Sequence, residues 1–210
     1  FTKGSIFIRG LDSQPQDNVV IEVEATQTSK GESSDYGIIC RANPDEFGSG
    51  YYFFIASNGY ASIFSNTVKD GLVTVVDWVE TKAVNTGADS NTLTAVCVDD
   101  YLALYVNGEL VVEGHDSTYT DGVGGVSIGG FEDTDKVTVE FDNYTVWSAK
   151  AGKGSSGNGG SLGNLFGNGS NNNNNNNSGS TGVIDNYDGD PADVIAQLDD
   201  QGFINTKRGE

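Results

Sequence analysis

Glu22 and Glu24, in "NVVIEVEATQT", are the nearest approach in this chain to a catalytic carboxylate pair. Hydrolysis of a glycosidic bond needs two carboxyl groups held about 5–10 Å apart, and period-2 spacing on a strand puts both on one face. The exposed polar face of a half-buried strand gives the same pattern, and that is the favoured reading. His115, in "EGHDST", is the chain's one histidine and falls in a turn after a strand. With one histidine in the chain and no cysteine near it, a nucleophilic triad is not expected. The expectation is a protein that is not an enzyme.

Other side chains point to binding and cross-linking. Tyr51, Tyr60, Trp78 and Tyr119 fall in or beside turns, where their flat rings could stack on pyranose faces as a ligand-binding platform. Taken singly, each is also an ordinary strand aromatic with a polar tip. Cys40 and Cys97 sit in the β-like runs "YGIICRA" and "LTAVCVDD". A disulfide between them is expected over two buried thiols, which predicts Cα atoms within about 7 Å. No cofactor and no metal site is the first expectation. Calcium is the one metal the loops leave open, at "FEDTDK" (Glu132, Asp133, Asp135) or at "IDNYDGDPAD", although the latter breaks the EF-hand register at Ile184. Solvated acidic turns are the favoured reading of both. Of three N-x-[ST] sequons, Asn168 and Asn176 are the expected glycan acceptors. Asn143 shares strand parity with Val137, Val139 and Phe141, and so is placed on the core face.

Composition narrows the partners. Thirty acidic residues against eleven basic ones give a formal charge of −19. Such a chain repels phosphate backbones and anionic bilayers, so neither nucleic acid nor a membrane surface is an expected partner. No apolar run reaches the ~18 residues of a membrane span. The absence of methionine implies a processed chain and fits removal of a secretory leader. Together with the cysteine pair, this predicts an extracellular or cell-surface location.

The elements that must position these residues occupy 1–150. In "NVVIEVEATQT", Val19, Ile21, Val23 and Ala25 alternate with Val20, Glu22, Glu24 and Thr26. "YLALYVNGELVVEG" is a hairpin whose Asn107-Gly108 pair suits a type I′ turn, and "SNGY" at 57–60 is a second Asn-Gly hairpin. "GGVSIGGF" and "KVTVEFDNYTVW" close the series of strands. No segment of 1–150 shows a 3.6-residue stripe, so the region reads as an all-β sandwich or barrel. Residues 151–182, almost wholly Gly, Asn and Ser, read as a low-complexity linker. In 183–210, "DPADVIAQLDDQGFI" predicts a short helix with Asp190 as N-cap and Gly202 as stop, in a tail built to dock.

The run "DYGIICRAN", "YYFFIASNGYASIF", "VDWVETKAVNTGADSNTLTAVCVDDYLALYVNGELV" and "VTVEFDNYTVW" resembles the concanavalin A-like lectin/glucanase superfamily, most of all its laminin-G-like jelly-roll modules from bacterial secreted and surface proteins. The "YVNG" hairpin (Tyr105 to Gly108) and the closing "FDN" (Phe141 to Asn143) carry the likeness, which covers about residues 19–147. It implies two antiparallel sheets packed face to face, used for glycan or protein binding and sometimes for hydrolysis. The E-x-D-x-x-E-type strand of sheet-borne glucanases is missing. The chain also starts late against that pattern, which predicts an open sheet edge in need of cover. The leading expectation is a non-catalytic β-sandwich module for glycan recognition or adhesion, with a glycan or a surface protein as partner. The main rival is a structural subunit of an extracellular filament or matrix, its linker and tail docked on a neighbouring copy as a homo-polymer. A sugar-cleaving enzyme comes third.

Overall fold

A computed structural model describes residues 6–29, 34–46, 48–130, 137–149 and 207–208. Every regular element among them is a strand: β1 (Ile6–Gln16), β2 (Val19–Gln27), β3 (Ser34–Ala42), β4 (Gly50–Ala56), β5 (Tyr60–Thr67), β6 (Gly71–Glu80), β7 (Asn91–Val98), β8 (Tyr101–Val106), β9 (Glu109–His115), β10 (Gly122–Gly130), β11 (Val139–Ser148) and β12 (Lys207–Arg208). They form two six-stranded sheets, β1-β10-β3-β4-β5-β6 (sheet A) and β12-β11-β2-β7-β8-β9 (sheet B). Every neighbouring pair is antiparallel. The fold is the antiparallel β-sandwich that the sequence predicts. The linker 151–182, its sequons Asn168 and Asn176, the helix expected over 190–202 and the acidic turn at 132–135 lie outside the described residues.

Period-2 alternation builds the core. Val19, Ile21, Val23 and Ala25 of β2, Leu93, Ala95 and Cys97 of β7, and Leu102, Leu104 and Val106 of β8 face sheet A. They meet Tyr36, Ile38 and Cys40 of β3, Tyr51, Phe53 and Ile55 of β4, and Ala61 and Ile63 of β5. Cys40 and Cys97 are bonded across this interior, with Cα atoms 6.9 Å apart, so a disulfide cross-links sheet A to sheet B.

The turns follow local chemistry with one variation. Asn107 (φ +50°) and Gly108 (φ +85°) both take left-handed backbone, as a type I′ turn requires. In the second hairpin Ala56 pairs with Tyr60, leaving a three-residue loop in which Gly59, not Asn58, is left-handed. β1 pairs along β10 and forms one border of sheet A, with no strand beyond it among the described residues. Asn143 departs from its expected parity as well. A bulge between Asp142 and Thr145 interrupts the β2–β11 register, and Asn143 sits there exposed at φ +54°. Its amide donates to Glu24 Oε2 at 2.9 Å.

Candidate functional site

At one end of the sandwich, four pieces of chain converge on Arg41, the penultimate residue of β3. An arginine closing the apolar run "YGIIC" has to find partners wherever the strand ends. Arg41 is 1 % exposed and takes a left-handed φ of +53°, an uncommon conformation for a side chain of this size. All five guanidinium donors are used. Nε donates to Asp17 O at 2.8 Å, Nη1 to Asp99 O at 2.6 Å and Tyr119 O at 2.9 Å, and Nη2 to Asn18 Oδ1 at 2.9 Å and Cys97 O at 3.5 Å. One side chain thereby fixes the β1–β2 turn, the β7–β8 turn and the loop after β9. Burial lowers the affinity of the guanidinium for its proton, and Tyr51, Asp99, Asp17 and Asp121 oppose that shift. A planar five-donor cation satisfies three loops at once in a way that a lysine, with its single ammonium, does not.

Around this hub opens a cleft of ≈ 510 Å³ lined by Asp17, Asn18, Asp99, Asp100, Ser117, Thr120 and Asp121, with Arg41 at its base. The aspartates, Ser117 and Thr120 are exposed, and Asn18 is half-buried. Asn18 braces the rim, its Oδ1 accepting from Asp99 N at 2.8 Å and its Nδ2 donating to Asp99 Oδ1 at 3.3 Å. Asp99 is itself left-handed, at φ +51°, in the tight turn between β7 and β8. Gly122 closes the far side, where a Cβ would lie 2.5 Å from the Arg41 carbonyl carbon. That close approach, with φ +144°, requires glycine.

Two of the four sequence-chosen aromatics meet beside this cleft, in a different role from the one expected. Tyr51 is 0 % exposed, so its ring offers no stacking face. Its hydroxyl donates to Asp116 Oδ1 at 2.6 Å and accepts from Tyr119 N at 2.9 Å. Burial and the Asp116 carboxylate both push its ionisation upward, so it stays a neutral donor. Tyr119 packs edge-on against Tyr51 at 5.5 Å and donates its hydroxyl to Asn66 O at 2.6 Å. The pair holds the 116–121 loop in place and with it Ser117, Thr120 and Asp121. Trp78 lies within β6, not at a turn, and packs edge-on against Phe64 at 5.7 Å on the outer face of sheet A. Tyr60 opens β5 opposite Glu80, half-buried. The four therefore form no common platform.

The remaining sequence candidates are engaged within the fold. Glu22 accepts from Thr94 Oγ1 at 3.0 Å, and Glu24 holds the Asn143 amide. His115 ends β9, its ring 5.6 Å from that of Tyr101 and its Nδ1 3.3 Å from Asp100 Oδ1. Among the described residues no three histidine, cysteine or acidic side chains stand together as a metal cage. The sequence signals for the cleft were an arginine inside an apolar strand and the Asp99-Asp100 pair in a tight turn. Neither carried meaning until the loops were seen to converge.

No family model matches the chain, and no curated protein matches it in sequence. Solved structures do resemble it. A carbohydrate-binding module, CBM66, from Bacillus subtilis superposes with a TM-score of 0.55 at 20 % identity, covering 70 % of this chain and 83 % of that one. A prokaryotic β-1,3-1,4-glucanase (lichenase) derived from a mouse hindgut metagenome reaches 0.49 at 14 % identity, over 65 % and 68 %. Sheep galectin-11 in complex with glycerol reaches 0.47 at 10 %, over 67 % and 96 %. At 20 % identity the likeness to the carbohydrate-binding module is one of fold alone, an antiparallel β-sandwich.

Proposed function

We propose that the chain is a glycan-recognition module that binds through the end cleft and does not cleave its ligand. The observation that carries this reading is the convergence of exposed carboxylates, hydroxyls and an amide around one buried, fully hydrogen-bonded arginine. Carboxylates and amides accept the hydroxyl hydrogens of a sugar, and a rim fixed in advance loses little entropy on binding. The fold it shares with a carbohydrate-binding module from Bacillus subtilis agrees with this role. With four aspartates at the rim, the cleft favours neutral or cationic sugars over sialylated or sulfated ones. The cysteine bridge fits an extracellular or cell-surface module. A glycan array followed by calorimetry tests the proposal. Asp99→Asn and Asp121→Asn should each weaken a neutral-glycan hit by about tenfold, roughly one charge-assisted hydrogen bond. No hit, or a hit that both variants leave unchanged, overturns it.

A second reading, a self-assembling structural subunit, draws support from β6. This strand borders sheet A, and Leu72 (40 %), Val73 (44 %) and Val79 (42 %) lie exposed on it. It lacks the lysine and proline with which proteins usually blunt an edge, and an antiparallel edge can pair with a second copy of itself about a twofold axis. Sedimentation at rising concentration tests this. A strictly monomeric chain removes the reading.

A further inference from the structure

Asn143 is the one sequon asparagine among the described residues, and it stands outside the core face to which strand parity assigns it. β11 packs Val139 and Phe141 against the core near its start and Val146 near its end. Strict alternation cannot place both Phe141 and Val146, five positions apart, on one face, so an extra residue is taken up between them. The register with β2 locates it. Asp142 pairs with Glu24 and Thr145 with Glu22, which leaves Asn143 and Tyr144 together opposite Val23. Tyr144 reaches across to sheet A, its hydroxyl lying against Gly124 of β10, where a Cβ would come within 2.8 Å of it. Asn143 takes the left-handed backbone, at φ +54°, and is turned out to solvent. Asparagine is one of the few residues besides glycine that enter this region readily.

We infer that Asn143 is an N-glycan acceptor, presented by the β11 bulge. Its triplet is Asn143-Tyr144-Thr145, with a hydroxyl two positions on and no proline between. Asn143 Nδ2 carries two hydrogens. One is donated to Glu24 Oε2 at 2.9 Å, so the other is the one a sugar replaces, and the contact with Glu24 survives the modification. Thr145 Oγ1 donates to Asn143 O at 3.3 Å and holds the triplet together. Glu24, Glu140 and Asp142 around it are exposed carboxylates, so a hydrophilic glycan meets hydrophilic neighbours. β11 is also a border at this height. β12 pairs with Trp147 and Ser148, and among the described residues no strand flanks Asn143 on that side. In the transfer, Nδ2 forms a bond to the anomeric carbon of an oligosaccharide carried on a polyprenyl diphosphate. The bond from that carbon to the diphosphate oxygen breaks, the amide gives up one proton, and the lipid diphosphate leaves. The Cys40–Cys97 disulfide belongs to the same oxidising compartments in which secreted chains receive such glycans.

The test secretes the full 210-residue chain from a yeast host and maps the folded, disulfide-bonded product. Trypsin yields 137–150, which holds Asn143 and no other sequon, while Asn168 and Asn176 share the peptide 154–207. Release with peptide-N-glycosidase in heavy-oxygen water should turn Asn143 into a labelled aspartate in most secreted molecules. Endoglycosidase H should trim this glycan from the native protein without unfolding it. An unoccupied 137–150 in the secreted protein overturns the inference, whether or not 154–207 is modified. Occupancy confined to chains retained unfolded in the cell, or trimming that requires denaturation, overturns it as well, because the bulge would then not present the acceptor. Thr145→Ala should remove this one glycan and Thr145→Ser should keep it. A glycan that persists on 137–150 in Thr145→Ala, or is lost in both variants, overturns the assignment to this triplet. None of these outcomes bears on glycan binding at the end cleft.

Discussion

Replacing Arg41 with lysine keeps the charge and removes most of the geometry. The carbonyls of Asp17, Asp99, Tyr119 and Cys97 and the Asn18 side chain would compete for one ammonium, leaving most of the loop acceptors unpaired. Buried acceptors left without donors cost about 1–3 kcal/mol each, so Arg41→Lys should lose about 3–5 kcal/mol in denaturant unfolding and abolish binding at the cleft. Asp35 makes the opposite kind of prediction. It is 4 % exposed, and burial raises its pKa from 3.8 to about 7. The folded state therefore holds a proton that the unfolded state has released, and this contribution to stability falls as pH rises from about 4 to about 7. Asp35→Asn should be more stable than the parent at pH 8, by about 1–3 kcal/mol, and nearly equal to it at pH 4. Melting curves at the two pH values check the sign. An Asn variant that is less stable at both would show that the carboxyl makes contacts its burial alone does not suggest.

At the scale of elements, the disulfide is the side-chain cross-link between the two sheets, joining β3 to β7 across a sequence separation of 57 residues. A loop of that length is expected to contribute about 4 kcal/mol through the unfolded chain, and measured effects fall more often at 2–4. Cys40→Ala/Cys97→Ala should lower stability by that amount while leaving the strand content by circular dichroism unchanged. The strands themselves were legible because one face of β2 alternates cleanly and Asn107-Gly108 fits one turn type. What the sequence hid was whatever depends on irregular backbone. The bulge at Asn143 moved that residue from the expected core face to solvent, because a bulge inverts parity and leaves no fixed mark in composition. The cleft was hidden for a related reason. Its residues are separated by up to a hundred positions, and only the pairing order of the strands brings the three loops to one end. Tyr51 and Tyr119 lie together beside the cleft, but the buried Tyr51 offers no stacking face. A tyrosine beside a turn serves equally well to anchor the loop from beneath, and burial decides between the two roles.

For the whole molecule, the surplus of acids gives a test that separates ligand classes. A formal charge of −19 repels itself, and part of it is concentrated at the end cleft in Asp17, Asp99, Asp100 and Asp121. Screening at 0.15 M salt shortens the reach of these charges to about 8 Å, so the melting temperature should climb by a few degrees between 10 and 150 mM NaCl as self-repulsion relaxes. Binding should respond differently according to what the cleft holds. A neutral glycan is recognised by hydrogen bonds over a few ångströms, and its affinity should change by less than about twofold across that salt range once stability is accounted for. A cationic ligand drawn in by the rim field would weaken severalfold over the same interval, and an anionic one would strengthen. Calorimetric titration at the two salt concentrations distinguishes the three. A glycan hit that is neutral yet strongly weakened by salt would place its binding somewhere other than this acidic cleft. It would then have to lie where the surface field acts through a displaced counterion, and the assignment of the site, though not of the fold, would fall.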